Sequence, residues 1–221
     1  MIYFIGKSHA AVHFKLSAEI RGFEITEDVK KAKLIIVCED APIGKNGKRN
    51  LRPIRKLVKE ALSYEKPVIL TSQVPPGFCR GYDCRRLYHQ SETLRIKDAL
   101  VRAVFPEQII MGVEQNVLDL DYIHAEVKKW CKGFNCIVHW LSYEEAEFSK
   151  IAINMTLASQ VDNTNRLAKA AKKVGAQWVA IKNILSHDKR IGKHSYLTPG
   201  RWQDSQHLLR DAVTLKEIEN G

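Results

Sequence analysis

From Ser142 to Val174 the chain runs without a single proline or glycine, and Gly175 then breaks the pattern. Ser142-Tyr143-Glu144-Glu145 has the form of a capping box. The serine hydroxyl can accept from the third-residue amide while the glutamate reaches back. Glycine is the usual helix stop. The stretch therefore predicts one helix of about 32 residues, roughly 48 Å long at 1.5 Å per residue. In a chain of 221 residues so long a helix must join lobes or form an interface. Three segments follow: a domain over 1–141, the helix over 142–175, and a small helical domain over 176–221.

Ahead of the helix, strand and helix patterns alternate. Ile2–Ile5 reads as a buried strand and Ala10–Ile20 as an amphipathic helix ended by Gly22. Leu34–Cys38 and Val68–Thr71 read as strands around a basic helix, Leu51–Leu62. Ile109–Val113 and Ile137–Trp140 read as strands around a helix at Leu120–Trp130. Such alternation predicts an α/β fold with a mainly parallel sheet and helices on its faces. The segment after Gly175 reads as short helices and loops.

The longest apolar runs are far too short to span a bilayer. Met1–Ile5 lacks the basic and cleavage features of a signal peptide, so a cytoplasmic location is expected. Five cysteines, Cys38, Cys79, Cys84, Cys131 and Cys136, are an odd number and read as reduced thiols. Their spacing is not that of a zinc site, and no metal is expected. The net charge of +10 is spread along the chain, with a local cluster at Lys45, Lys48, Arg49, Arg52, Arg55 and Lys56. The bland reading is a solvated surface; nucleotide phosphate is the sharper one. No nucleic-acid motif is recognisable, and steep salt-dependent retention on DNA or RNA would mark the opposite case.

A dinucleotide site requires G-x-G-x-x-G after the first strand. Here the stretch is Gly6-Lys7-Ser8-His9-Ala10-Ala11. The first glycine is present and Ala11 is an acceptable third residue, but Ser8 places a side chain where a pyrophosphate should approach. Between Gly22 and Leu34 there is room for a strand of three residues at most, Phe23–Ile25, and for no second helix. Taken alone, the residues favour a degenerate Rossmann-like scaffold over ordinary NAD binding.

Glu145 through Asn154, Asp188 through Gly192, and Pro199-Gly200 through Asp211, in that order and spacing, resemble the central region of the UDP-glucose/GDP-mannose dehydrogenase family. Further pieces agree in order. Asp40-Ala41-Pro42 is similar to the turn after a mid-sheet strand, Thr71 through Gly77 to S-T-V-P-x-G, and Ser91 through Leu100 to P-E-F-L-R-E-G-x-A-L. The resemblance implies a Rossmann-like domain, NAD as cofactor, a UDP- or GDP-sugar as substrate, and a homodimer through the central helix. It implies two hydride transfers at C6 by way of a cysteine thioester.

Carried over position by position, the resemblance makes Glu92 the base for thioester hydrolysis. Lys150 and Asn154, one helical turn apart, hold a developing oxyanion, and Asp211 positions the base and water. Arg190 reaches substrate across the dimer, with Arg210 and Leu94 also on the substrate side. Gly6, Ser8, Ala11, Ser72 and Pro75 fall at cofactor positions. The departures are concentrated. His207 stands where the family has its cysteine, and imidazole cannot form the thioester. His207 is either a base for a single alcohol oxidation or a surface histidine. Arg210 replaces a lysine, which alters geometry more than charge. The family's C-terminal nucleotide domain has no counterpart before Gly221. Two functions are therefore carried forward: a nucleotide-sugar dehydrogenase, and a non-catalytic descendant that binds a nucleotide sugar or a protein.

Overall fold

The computed structural model describes residues 1–44, 47–82, 85–114 and 120–220. Lys45 of the basic cluster and Cys84 lie outside them. The chain divides into two compact units. The first comprises Met1–Gly44 with Arg49–Lys150, and the second comprises Ile151 onward with a short excursion that includes Lys48.

The first unit is a six-stranded sheet: β1 (Ile2–Ile5), β2 (Leu34–Val37), β3 (Val68–Leu70), β4 (Leu87–Gln90), β5 (Gln108–Val113) and β6 (Ile137–Ser142), in sequential order. β1 to β4 are mutually parallel, β4 meets β5 antiparallel, and β5 and β6 are parallel. Around them run α1 (His9–Ile20), α2 (Arg52–Ser63), α3 (Ala99–Val104) and α4 (Ala125–Lys132). The α/β expectation holds, with a sheet that is mostly parallel.

The apolar runs of the strands make sense once both faces are covered. Leu34 and Ile36 point to one core with Phe14 and Ala18 of α1 and Val127 and Trp130 of α4. Ile35 and Val37 point to the other with Ile54, Val58 and Ala61 of α2. This is the period-two alternation of a strand written entirely in apolar residues.

The three residues allowed for a strand after α1 amount to one parallel bridge, Ile2 to Ile25. The Ile2 amide donates to the Glu24 carbonyl at 2.8 Å, and the Thr26 amide donates to the Ile2 carbonyl at 3.0 Å. The bridge lies on the side of β1 away from β2. The chain thus steps to one side of β1 and then crosses to the other. That reversal is the kind of switch point where open α/β sheets form their ligand crevice.

Two elements depart from expectation. β4 has no apolar periodicity, yet Leu87, Tyr88, His89 and Gln90 are all buried. Two of its polar side chains, Tyr88 and Gln90, are partnered internally, whereas Nδ1 of His89 is buried without a hydrogen-bond partner. Gln90 accepts from the Trp130 indole at 2.7 Å, and the Tyr88 hydroxyl lies 2.8 Å from His124 Nδ1. The helix expected from Leu120 begins instead at Ala125, after a 3-10 turn at Leu120–Tyr122. The His124 amide donates to the Tyr88 hydroxyl at 3.2 Å, which holds that residue in an extended conformation.

The long helix is present as α5, Tyr143–Lys173. Its capping box forms as read: Glu145 N–H donates to Ser142 Oγ at 3.3 Å, and Ser142 N–H donates to Glu145 Oε2 at 2.8 Å. Gly175 follows with φ +76°, the left-handed stop. The second unit adds α6 (Trp178–His187) and α7 (Gln206–Glu219) to the rest of α5. Among the described residues no helix is long and apolar enough to cross a membrane.

Candidate functional site

Two groups of expected site residues are assembled by the fold, one in each unit. The first surrounds the carboxyl ends of β1 and β2. Gly6 leaves β1 with φ +120°, and a Cβ built on it would sit 2.0 Å from the Cys38 carbonyl oxygen. The loop can therefore pass against the end of β2 only without a side chain. Ser8 then caps α1. Its hydroxyl accepts from the Ala11 amide at 3.2 Å and donates to the Cys38 carbonyl at 3.1 Å. Ser8 and Ala11 are both buried.

Across the crevice, Glu39 follows directly on Cys38. Its carboxylate accepts from the Lys7 amide at 2.8 Å and from the Asp40 amide at 3.2 Å. Its own amide donates to Ser72 Oγ at 3.1 Å. Ser8, Ala11 and Ser72, three of the five cofactor positions, thus share one hydrogen-bonded network, and Gly6 packs against it at Cys38. The fifth, Pro75, opens the next turn, where its carbonyl accepts from the Phe78 amide.

An incoming pyrophosphate needs free N–H groups at this helix start. Here a carboxylate already accepts from Lys7, and the Ser8 hydroxyl accepts from Ala11. A dianionic phosphate pair would meet the Glu39 charge in the same crevice. In this arrangement the residues do not fit NAD. Downstream acids are engaged as well: Glu27 pairs with Lys15 at 2.6 Å, and Asp28 caps the turn at Lys30.

The second group lies within the second unit. Asn154 of α5 donates from Nδ2 to Asp211 Oδ2 of α7 at 2.5 Å. Both are buried, Asp211 completely. Arg210, also buried, donates from Nη2 to His207 Nδ1 at 3.2 Å. A guanidinium can only donate, so this contact occupies the Nδ1 lone pair and places the neutral ring's hydrogen on Nε2. That is the tautomer of a donor, not of a general base. Arg190 is elsewhere: its side chain is 89% exposed and clasps Asp188 through two bonds of 3.0 and 2.7 Å.

The remaining expected residues belong to the first unit. Glu92 turns back to accept from the Leu94 amide. Leu94 packs against the core beneath the sheet. Lys150, half-buried, makes no ion pair among the described residues.

Sequence reasoning passed over Glu147. Its side chain is buried, and its two oxygens accept from the Gly77 and Cys79 amides at 2.6 and 2.8 Å. It fastens the Pro75-Pro76-Gly77 turn to α5. Burial pushes its carboxyl up from 4.5 to about 6, against the lowering effect of the Cys79 and Gly77 hydrogen bonds. The signal was present: Tyr143, Ala146, Glu147, Ile151 and Asn154 share one helical phase, so a charge fell on the core side. Glu39 had a fainter signal, an acid placed directly after an all-apolar strand.

Residues 144–219 match the family model described as the UDP-glucose/GDP-mannose dehydrogenase family, central domain. An uncharacterized protein of Methanocaldococcus jannaschii is 31% identical over 185 residues, covering 78% of this chain and 20% of the relative. A UDP-glucose 6-dehydrogenase of Streptococcus pneumoniae is 22% identical over 173 residues, covering 74% of this chain and 44% of the relative. The chain thus spans less than half the length of these curated relatives. A solved UDP-glucose dehydrogenase from Pyrobaculum islandicum superposes with a TM-score of 0.71 at 18% identity, covering 99% of this chain and 68% of that one. At that identity the likeness shows the fold alone. Over residues 144–219 the chain is similar to the central domain of the UDP-glucose/GDP-mannose dehydrogenase family.

Proposed function

We propose that this chain binds a UDP- or GDP-sugar and does not carry out the two-step, NAD-dependent oxidation of the family it resembles. One observation carries the reading: the Glu39 carboxylate occupies the Lys7 amide in the crevice where a dinucleotide would be held. His207 in the cysteine position supports it, since the Arg210 contact directs its lone pair inward. The binding half rests on the match over residues 144–219. There the Asn154–Asp211 pair ties α5 to α7. The full oxidation is the second reading, favoured by a relative that bears the name UDP-glucose 6-dehydrogenase.

A thermal-shift panel with UDP-glucose, UDP-GlcNAc, GDP-mannose, NAD and NADP separates the two readings. A ligand that binds only the folded state at about 100 times its Kd adds about 2.7 kcal/mol. The expected result is a rise in Tm with one sugar nucleotide, none with either dinucleotide, and no absorbance growth at 340 nm with both present. NADH formation would overturn the non-oxidising reading. Silence toward every sugar nucleotide would overturn the binding half and leave a protein partner.

The homodimer belongs to the same proposal. α6 carries Val179, Ile181, Ile184 and Leu185 but buries no residue; Val179 is 79% and Ile184 70% exposed. Val174, at the end of the long-helix segment, is 80% exposed. An apolar helix left in water is a face awaiting a partner. Light scattering should give twice the 25.2 kDa chain mass; a monomeric mass refutes this.

A further inference from the structure

We propose that His9 and His13 form a surface site for a divalent transition-metal ion on the first two turns of α1. This departs from the expectation of no metal and involves none of the cysteines. The two histidines are four residues apart, which puts them on one helix face. Their ring centroids are 4.2 Å apart with the planes tilted by 43°. Metal-binding histidine pairs on helices use this same spacing.

The decisive contact belongs to His13. Its Nδ1 lies 2.8 Å from the His9 carbonyl oxygen. A carbonyl only accepts, so Nδ1 carries hydrogen and the neutral ring keeps its lone pair on Nε2. Histidine ligands are oriented in this way, with the other ring nitrogen donating to a carbonyl or carboxylate. His9 is exposed and His13 half-buried, so an ion reaches both from solvent. Imidazole nitrogen suits Ni2+, Cu2+ and Zn2+. Among the described residues no cluster of three or more His, Cys, Asp or Glu is placed to hold a metal. Water therefore fills the other coordination positions, and the site is open, unlike a closed structural site of four protein ligands. The positive end of the helix works weakly against a cation there. Two direct nitrogen ligands outweigh it.

The test is calorimetric titration of the whole chain with Ni2+ alone, repeated for His9→Ala, His13→Ala, His13→Gln and His187→Ala. His187 is an exposed single histidine whose Nδ1 makes the same kind of contact, to the Asn183 carbonyl at 2.7 Å. The expected result is one ion per chain. Each change at His9 or His13 should weaken binding by at least about tenfold, the scale seen when metal-site partners are removed. His187→Ala should leave it unchanged. Unfolding midpoints measured without metal show that the variants are folded, and His13→Gln serves where the alanine is not. An isotherm that is the same in the wild type and the α1 variants, or no binding at millimolar Ni2+, overturns the proposal.

Discussion

Gly6→Ala should cost at least about 4 kcal/mol, a loss in the exceptional range for a single substitution. Two causes act together. At φ +120° an alanine is strained by about 1–3 kcal/mol. Its Cβ would also stand 2.0 Å from the Cys38 carbonyl oxygen and 2.6 Å from the carbonyl carbon. Neither strand end can withdraw, because Ser8 bonds to Cys38 and Lys7 to Glu39 across the same gap. Urea denaturation measures the change. Gly175→Ala is the control: φ is +76°, but nothing lies within 4 Å of the added carbon, so only the left-handed strain of about 1–2 kcal/mol is expected. A Gly6→Ala protein as stable as Gly175→Ala would refute this account of the loop.

The second large effect is a pair of opposed pH dependences. Complete burial lowers His89 from 6.5 to about 4, against a smaller raising effect of the Leu70 backbone. Its folded pKa is depressed, so the unfolded chain binds the extra proton, and stability rises by about 3 kcal/mol from pH 4 to pH 6.5. Glu147 has the opposite sign. Its pKa is raised from 4.5 to about 6, so the folded state binds the extra proton. That contribution is complete below pH 4.5, and about 2 kcal/mol is lost as the pH climbs through 6. The wild type should therefore gain only about 1 kcal/mol between pH 4 and 6.5.

Glu147→Gln should reveal the full His89 slope, a gain of about 3 kcal/mol over the same interval. Glutamine has one acceptor oxygen for the two amides of Gly77 and Cys79. The lost hydrogen bond costs the variant about 1–3 kcal/mol independently of pH, an offset that is added to the change in slope. The lowered carboxyls of Asp98 and Asp188 act mainly below this window, while those of Glu144 and Glu145, lowered from 4.5, add to the rise at its acid edge equally in wild type and variant. Denaturation curves at half-unit pH steps decide the matter; a Glu147→Gln profile parallel to the wild type refutes the assignment.

The parts of the fold that were legible in the sequence are those where local chemistry and tertiary packing agree. The capping box at Ser142, the stop at Gly175 and the apolar runs of β1, β2 and β3 are short-range signals that the core reinforces. β4 was not legible because its inward groups are His89 and Gln90, and only Trp130, 40 residues away, supplies the hydrogen bond that lets Gln90 be buried. The antiparallel junction between β4 and β5 is likewise a property of pairing that no run of residues encodes by itself.

The sites divide in the same way. Spacing alone put Lys150 and Asn154 on one face of one helix and placed Ser8 at the start of another. Residue type alone removed the thiol at position 207. Only the folded chain decided that Asn154 meets Asp211, that Arg190 turns to Asp188, and that Glu39 reaches the Lys7 amide 32 residues back. Helical spacing and turn chemistry act over a few residues and can be read along the chain. The partner of a buried carboxylate is set by which strand ends meet in space. Here, that pairing places a negative charge inside a loop whose sequence still looks partly built for phosphate.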